Sequence, residues 1–287
     1  MTDPVGPRGW GITLAKMWGP RFPVDPQIIA LEYSAKRPDP ISKVKAHPVD
    51  GIEGMLIQRE SKAWYILYNE GIVVPGRIKF TIAHELGHYL LHRQSQEEFR
   101  CGQRDIIGAQ NARALEDEAN LFASYLLMPM DDFRRQVDGQ QISLELLGHC
   151  AERYGVSLTA AILKWLEFTD EIATLVVGRD GYVLWSRSSK AAMQLRLFRR
   201  HGFALPAKSL AADGHAFDFD DRTGVSMPAG VWHPAEETKE MKIGSDQYDF
   251  SISLVLYPRT LSSVIHKEAE PAEDLLDRVM QPFQRRE

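Results

Sequence analysis

The stretch Phe80-Thr81-Ile82-Ala83-His84-Glu85-Leu86-Gly87-His88-Tyr89-Leu90-Leu91-His92 decides how the chain is read. Ile78, Ile82, Leu86, Tyr89 and Leu90 recur at helical spacing, which predicts a helix from about Arg77 to His92. Residues four apart on a helix share one face about one turn apart, so His84 and His88 can reach one ion. Glu85 adjoins the first histidine and faces the same cavity from the side. It is placed to take a proton from metal-activated water rather than to ligate. The pattern H-E-x-x-H thus holds two ligands and a base, but it is short enough to arise by chance, and its surroundings have to decide.

A third protein ligand has to come from another element. His92 lies on the same face, yet about 12 Å along the axis from His84 at 1.5 Å per residue. One zinc ion with bonds of roughly 2 Å does not hold both ends of that span. His92 is therefore read as a neighbour of the ligands, a substrate contact, or a structural residue near the helix end. A second helix, expected from about Ala112 to Leu127 and stopped at Met128-Pro129, offers Glu116 and Glu118. Two residues apart means about 200° apart, so both cannot face one ion. Glu116 shares a face with Ala112, Ala119, Asn120 and Ala123, and small residues there permit close helix approach. Glu116 is preferred; Glu118 is the alternative and otherwise a solvated charge. Asn120, one turn after Glu116, can hydrogen-bond a ligating histidine.

Composition narrows the class. The 287 residues are 44% hydrophobic and 25% charged, with a net charge of -5. That is a globular balance with a core large enough to need no staples. The acidic balance argues against direct nucleic-acid binding. The run Arg196, Arg199, Arg200, His201 is expected to be a solvated helix face, with a phosphate or acidic-partner patch as the lesser reading. Cys101 and Cys150 form no CxxC pair, which fits a reducing compartment. Cys101 is expected to be a buried or idle thiol; metal ligation or redox switching by it is the minor reading. No apolar run reaches the roughly 18 residues of a membrane span. Met1-Thr2-Asp3-Pro4 opens no basic and apolar leader, so a cytoplasmic protein without membrane contact is expected.

The pattern along the chain predicts an α+β fold in three parts: 1–130, 131–169 and 170–287. Residues 1 to about 20, rich in Gly and Pro, are expected to be loose or wrapped onto the surface. Asp25-Pro26 caps and opens a helix from Gln27 to Lys36. Strand-like pieces follow at Ser42–His47, Gly54–Gln58 and Ala63–Asn69. Asp131–Gln136 is expected to add a turn; Ser143–Arg153 and Ser157–Phe168 read as two short helices that resemble a helix-turn-helix in outline, with simple packing preferred over DNA reading. Ile172–Val177 and Tyr182–Arg187 flank Gly178-Arg179-Asp180-Gly181 as a hairpin. A helix at Lys190–Arg200, a strand at Phe250–Tyr257 and a final helix at Pro271–Gln281 complete the reading.

Phe80 to His92, followed by Glu116-Asp117-Glu118-Ala119-Asn120-Leu121-Phe122-Ala123-Ser124-Tyr125-Leu126-Leu127-Met128-Pro129, resembles the ImmA/IrrE family of metallopeptidases. The likeness covers about Val24 to Phe168. It implies a zincin-like peptidase domain over 1–130, a small twisted sheet with the H-E-x-x-H helix. It also implies a gluzincin-like site, with His84, His88 and Glu116 on one zinc ion and Glu85 as general base. Another divalent metal such as manganese is also compatible. The implied activity is that of an endopeptidase cutting a separate Xre-type helix-turn-helix repressor, which derepresses stress-response or mobile-element genes. The IrrE branch adds a helical linker and a GAF-like domain, which 131–169 and 170–287 resemble in layout.

Two other readings stand beside it. One is a zinc-stabilised protein that sequesters a repressor without cutting it; the intact Glu85 argues against this. The other is a regulator reading DNA through residues 143–168. For a peptidase, the substrate is expected to lie antiparallel to the strand Ala63–Asn69. An oxyanion donor is also needed, and Tyr154, Tyr125, His149 and Arg153 are all available.

Overall fold

A computed structural model of the chain describes residues 4–48, 51–59, 61–101, 110–212, 219–245 and 250–261. The chain divides into two compact units, 1–164 and 165–287.

The first unit is built around one helix. α3 (Pro75–Leu91) starts with Pro75 in its first turn, where a missing N–H costs nothing. It buries every residue from Thr81 to Leu90, the polar His84, Glu85 and His88 included. A helix buried all round belongs in a core. Around it lie α2 (Pro26–Ser34), α4 (Gln110–Leu127) and a four-stranded sheet. The sheet order is β1-β3-β2-β4, from β1 (Ile41–His47), β2 (Gly54–Gln58), β3 (Trp64–Asn69) and β4 (Glu98–Cys101). Leu56, Trp64 and Ile66 from the sheet join Ile82, Ala83, Leu86 and Tyr89 of α3 and Phe122 and Leu126 of α4 in one core. Asp25 caps α2 as expected, accepting from the backbone N–H of Gln27 at 3.0 Å and of Ile28 at 3.1 Å.

Three expectations change here. The N-terminal stretch is not loose: α1 (Gly6–Trp18) packs on α4 and buries Trp10, Gly11, Leu14 and Ala15. Its glycine serves contact rather than flexibility, since a Cβ on Gly11 would stand 2.7 Å from Tyr125 Cβ. Next, β3 is internal. It pairs in parallel with β1 and antiparallel with β2, so it offers no free edge to a substrate. The substrate strand expected beside Ala63–Asn69 therefore has no place there. Finally, β4 is an unexpected strand; it pairs with β2 and forms one edge of the sheet among the described residues.

Beyond α4 come α5 (Met130–Val137), α6 (Leu144–Tyr154) and α7 (Leu158–Phe168). Gly155 joins the last two in a left-handed conformation with φ of 62°.

The second unit holds an antiparallel five-stranded sheet in the order β6-β5-β9-β8-β7. β5 (Ala173–Arg179) and β6 (Tyr182–Ser188) form the expected hairpin. Its two central residues, Asp180 and Gly181, both take positive φ, as a tight hairpin turn requires. β9 (Phe250–Leu256) is also as expected. β7 (Val225–Met227) and β8 (Thr238–Ser245) are not foreseen, because β8 carries Lys239, Glu240 and Lys242. Glu240 is nevertheless fully buried. It accepts from the N–H groups of Leu210 and Ala211, from Trp232 Nε1 and from Ser253 Oγ.

The helix expected over Lys190–Arg200 stops early, as α8 (Lys190–Gln194), and Arg196 turns to a φ of 57°. Arg196, Arg199, Arg200 and His201 are therefore no helix face; Arg199 donates to the Trp232 carbonyl and His201 Nδ1 to that of Leu184. The helix expected at Pro271–Gln281 lies outside the described residues. Among the described residues no helix is long and apolar enough to cross a membrane.

Candidate metal centre

Three elements meet at one point. α3 supplies His84, Glu85 and His88, α4 supplies Glu116, and the end of β4 supplies Cys101. The approach of α3 and α4 depends on small residues: a Cβ on Gly87 would stand 3.0 Å from Phe122 Cδ1 and 3.2 Å from Ala119 Cα. The approach of β2 to α3 is closer still. A Cβ on Gly54 would stand 2.5 Å from both Glu85 Oε1 and Thr81 Cγ2.

The Nε2 atoms of His84 and His88 lie 3.0 Å apart. Glu116 spans them, with Oε2 3.2 Å from His84 Nε2 and Oε1 3.1 Å from His88 Nε2. Cys101 Sγ lies 3.6 Å from Glu116 Oε1, and donor atoms of all four residues fall within 4.8 Å of one another. Two N or O ligands of a tetrahedral zinc ion, with bonds of about 2.0–2.1 Å, are about 3.3 Å apart. The observed separations of 3.0, 3.1 and 3.2 Å, the last two to different Glu116 oxygens, lie close to that spacing. Imidazole, carboxylate and thiolate are also the donor types zinc prefers, so the residues fit a zinc ion.

Residues 43–166 match the family model of peptidase M78, described as the IrrE N-terminal-like domain. The family resemblance read from the sequence and this match coincide on the same stretch, which contains all four converging residues. Among solved structures, the chain is similar to a Mycobacterium tuberculosis transcriptional regulator. The identity is 16% and the TM-score 0.55, over 91% of this chain and 80% of that one. At that identity the likeness is one of fold. No curated protein matches the chain in sequence.

Within this matched stretch, the ring orientations are held from behind. His84 Nδ1 is 3.0 Å from Asn120 Oδ1, which leaves His84 Nε2 for the cluster when Nδ1 donates. His88 Nδ1 is 3.0 Å from His92 Nδ1, and His92 Nε2 is 3.0 Å from Glu118 Oε2. With His92 Nε2 donating to Glu118, His92 Nδ1 accepts from His88 Nδ1, and His88 Nε2 faces the cluster. Phe99 of β4 stacks on His88, with centroids 4.7 Å apart. Glu118 is thus neither a member of the cluster nor simply solvated; it is the far end of the chain that orients His88.

The electrostatics follow from burial and proximity. Burial pushes Glu85 up to about 7, with His84 and the Cys101 thiol pulling the other way. Among the described residues, and apart from the neighbouring Cys101 thiol, its oxygens meet no hydrogen-bond partner, which is rare for a buried carboxyl and points to a functional reason. Burial brings His88 down to about 4 against the opposing pull of Glu116. For His84, burial works against protonation, but Glu116, Glu85 and Asn120 together outweigh it and raise its pKa. Burial works upward on Glu116, yet its bonds to His84 and His88 hold it well below the usual carboxylate range. Burial, then the charges of Glu85 and Glu116, push the Cys101 thiol far up.

The candidate oxyanion donors have contacts of their own. Tyr154 donates to Asp132 Oδ2 at 2.7 Å, in a network where Arg153 and Arg135 also bind Asp132. The ring of Tyr125 carries Lys164 Nζ 3.5 Å from its centroid, and His149 is on the exposed side of α6. The sequence reading missed Gly54 and, in its main version, the place of Cys101. Both become visible only through the pairing of β2 with β4, which sets Gly54 opposite Cys101.

Proposed function

We propose that the IrrE N-terminal-like domain is a zinc-dependent endopeptidase with a zincin-like fold, in which His84, His88 and Glu116 hold the ion and Glu85 is the general base. The observation that carries this reading is Glu85 itself. It is a fully buried carboxyl whose oxygens, apart from the Cys101 thiol, meet no hydrogen-bond partner among the described residues, next to two imidazoles and a carboxylate at metal-ligand spacing. A purely structural site has no use for such a residue.

When bound, zinc supplies Lewis acidity to the attacking water and the scissile carbonyl. Glu85 accepts the proton of that water as its oxygen bonds to the carbonyl carbon. Glu85 then returns the proton to the amine nitrogen as the C–N bond breaks. Asn120 and the pair His92–Glu118 keep the two imidazoles aimed. The substrate strand adds to the free edge of β4, which ends at the cluster, rather than to β3.

The substrate class is a separate Xre-type repressor, whose cutting releases stress-response or mobile-element genes in the cytoplasm. In this reading the second unit is a GAF-like sensor. An antiparallel sheet with its first and last strands, β5 and β9, side by side near the middle supports that assignment. The test is incubation of the purified, zinc-supplemented protein with the Xre-type repressor encoded nearest its gene, with Glu85→Gln alongside. A single cut that the variant loses supports the reading. Tight binding by both without a cut supports sequestration instead.

A further inference from the structure

We propose that Cys101 is a fourth ligand of the same ion and that its sulfur closes the site, so that the resting holoprotein is a latent peptidase. This rests on the metal-site reading above and adds a regulatory state to it.

The geometry is specific. A tetrahedral zinc with a Zn–S bond of about 2.3 Å and a Zn–O bond of about 2.0 Å sets sulfur and oxygen about 3.5 Å apart. Cys101 Sγ and Glu116 Oε1 are 3.6 Å apart. The thiol is not simply a small apolar filler, because a carboxylate is its neighbour in a buried site. Its backbone is held in register: the N–H of Glu53 donates to the Cys101 carbonyl at 2.8 Å, and Gly54 pairs with Cys101 across β2 and β4. The sulfur thus reaches the cluster from a sheet edge, on a different element from the other three ligands.

Four protein ligands make a closed site, and catalytic zinc keeps a position open. With sulfur in the fourth position, no coordination position is left for a water beside Glu85. Coordination breaks the S–H bond and forms a metal–sulfur bond, the proton passes to solvent, and no oxidant or reductant takes part. Opening is the reverse exchange, water for sulfur, when β4 is drawn aside by a bound substrate strand.

The test uses the full-length protein loaded with one metal ion per chain. X-ray absorption on the zinc form is expected to show one sulfur at about 2.3 Å among nitrogen and oxygen ligands. The cobalt form is expected to show a near-ultraviolet thiolate-to-metal band. Both signals should vanish in Cys101→Ala, with metal content unchanged, and persist in Cys150→Ala. Cleavage by Cys101→Ala should be severalfold faster than wild type. A sulfur-free shell in metal-loaded wild type, which needs no variant to fold, overturns the ligation while leaving the three-residue site intact. No acceleration in Cys101→Ala overturns the latch. Failure to bind metal at all overturns both this inference and the reading beneath it.

Discussion

The Nδ1 atoms of His88 and His92 lie 3.0 Å apart, and His92 in turn meets Glu118 at 3.0 Å. One helix face therefore carries a proposed ligand and, one turn on, the residue whose contact would fix that ligand's tautomer. Removing such a support from a zinc-binding histidine lowers metal affinity about 10–100-fold. His92→Phe should show a loss of that size in competition with a chelator, and Glu118→Gln a smaller one. His84→Ala and His88→Ala should abolish binding. Unchanged affinity in His92→Phe would show that the contact does not orient His88.

The metal-free protein should reveal Glu85 through pH. Its folded pKa, about 7, is raised above the ordinary value of 4.5. Its folded form then holds a proton that the unfolded form has lost, so stability is fully present below 4.5 and is lost as pH rises through 7. Glu85→Gln removes that loss. The metal-free variant should exceed wild type at pH 8 by on the order of 3 kcal/mol and equal it at pH 4. Thermal unfolding of both proteins across pH decides it, and a pH-independent difference would contradict it.

Gly54→Ala should be costly for an apolar methyl group on a short strand. Its Cβ would stand 2.5 Å from Glu85 Oε1 and Thr81 Cγ2, so either the carboxyl or β2 has to move. Overpacking of this kind costs about 1–3 kcal/mol. Cleavage should fall by more than metal affinity does, measured side by side on the same preparation.

Tyr154 is expected to matter for stability and not for the metal. Tyr154→Phe leaves Asp132 short of one donor while Arg153 and Arg135 remain. A loss of about 1–2 kcal/mol is expected, with metal content and cleavage near wild type. A large drop in cleavage at unchanged stability would return Tyr154 to the list of oxyanion donors.

Local signals carried much of this structure. The helical recurrence of Ile82, Leu86 and Leu90 places His84, Glu85 and His88 together, and the alanines of α4 mark the face that brings Glu116 to them. Asp25-Pro26 and Asp180-Gly181 specify their cap and turn within a few residues. Long-range pairing was not legible in the same way. Cys101 joins the cluster only because β4 aligns with β2, some fifty positions earlier in the chain. The strand β3 becomes internal only when β1 adds to it in parallel. β8 hides because Glu240 reads as a surface charge, while four donors from distant segments hold it inside.

The converging donors come from α3, β4 and α4, three segments that nothing in the local sequence ties together. A bound ion is then a cross-link, and whatever binds only the folded form shifts the folding equilibrium by mass action. The survival of this domain against proteases should accordingly rise and fall with the free concentration of its ion. Its abundance, and not only its turnover, becomes a record of how well the cell is supplied with metal.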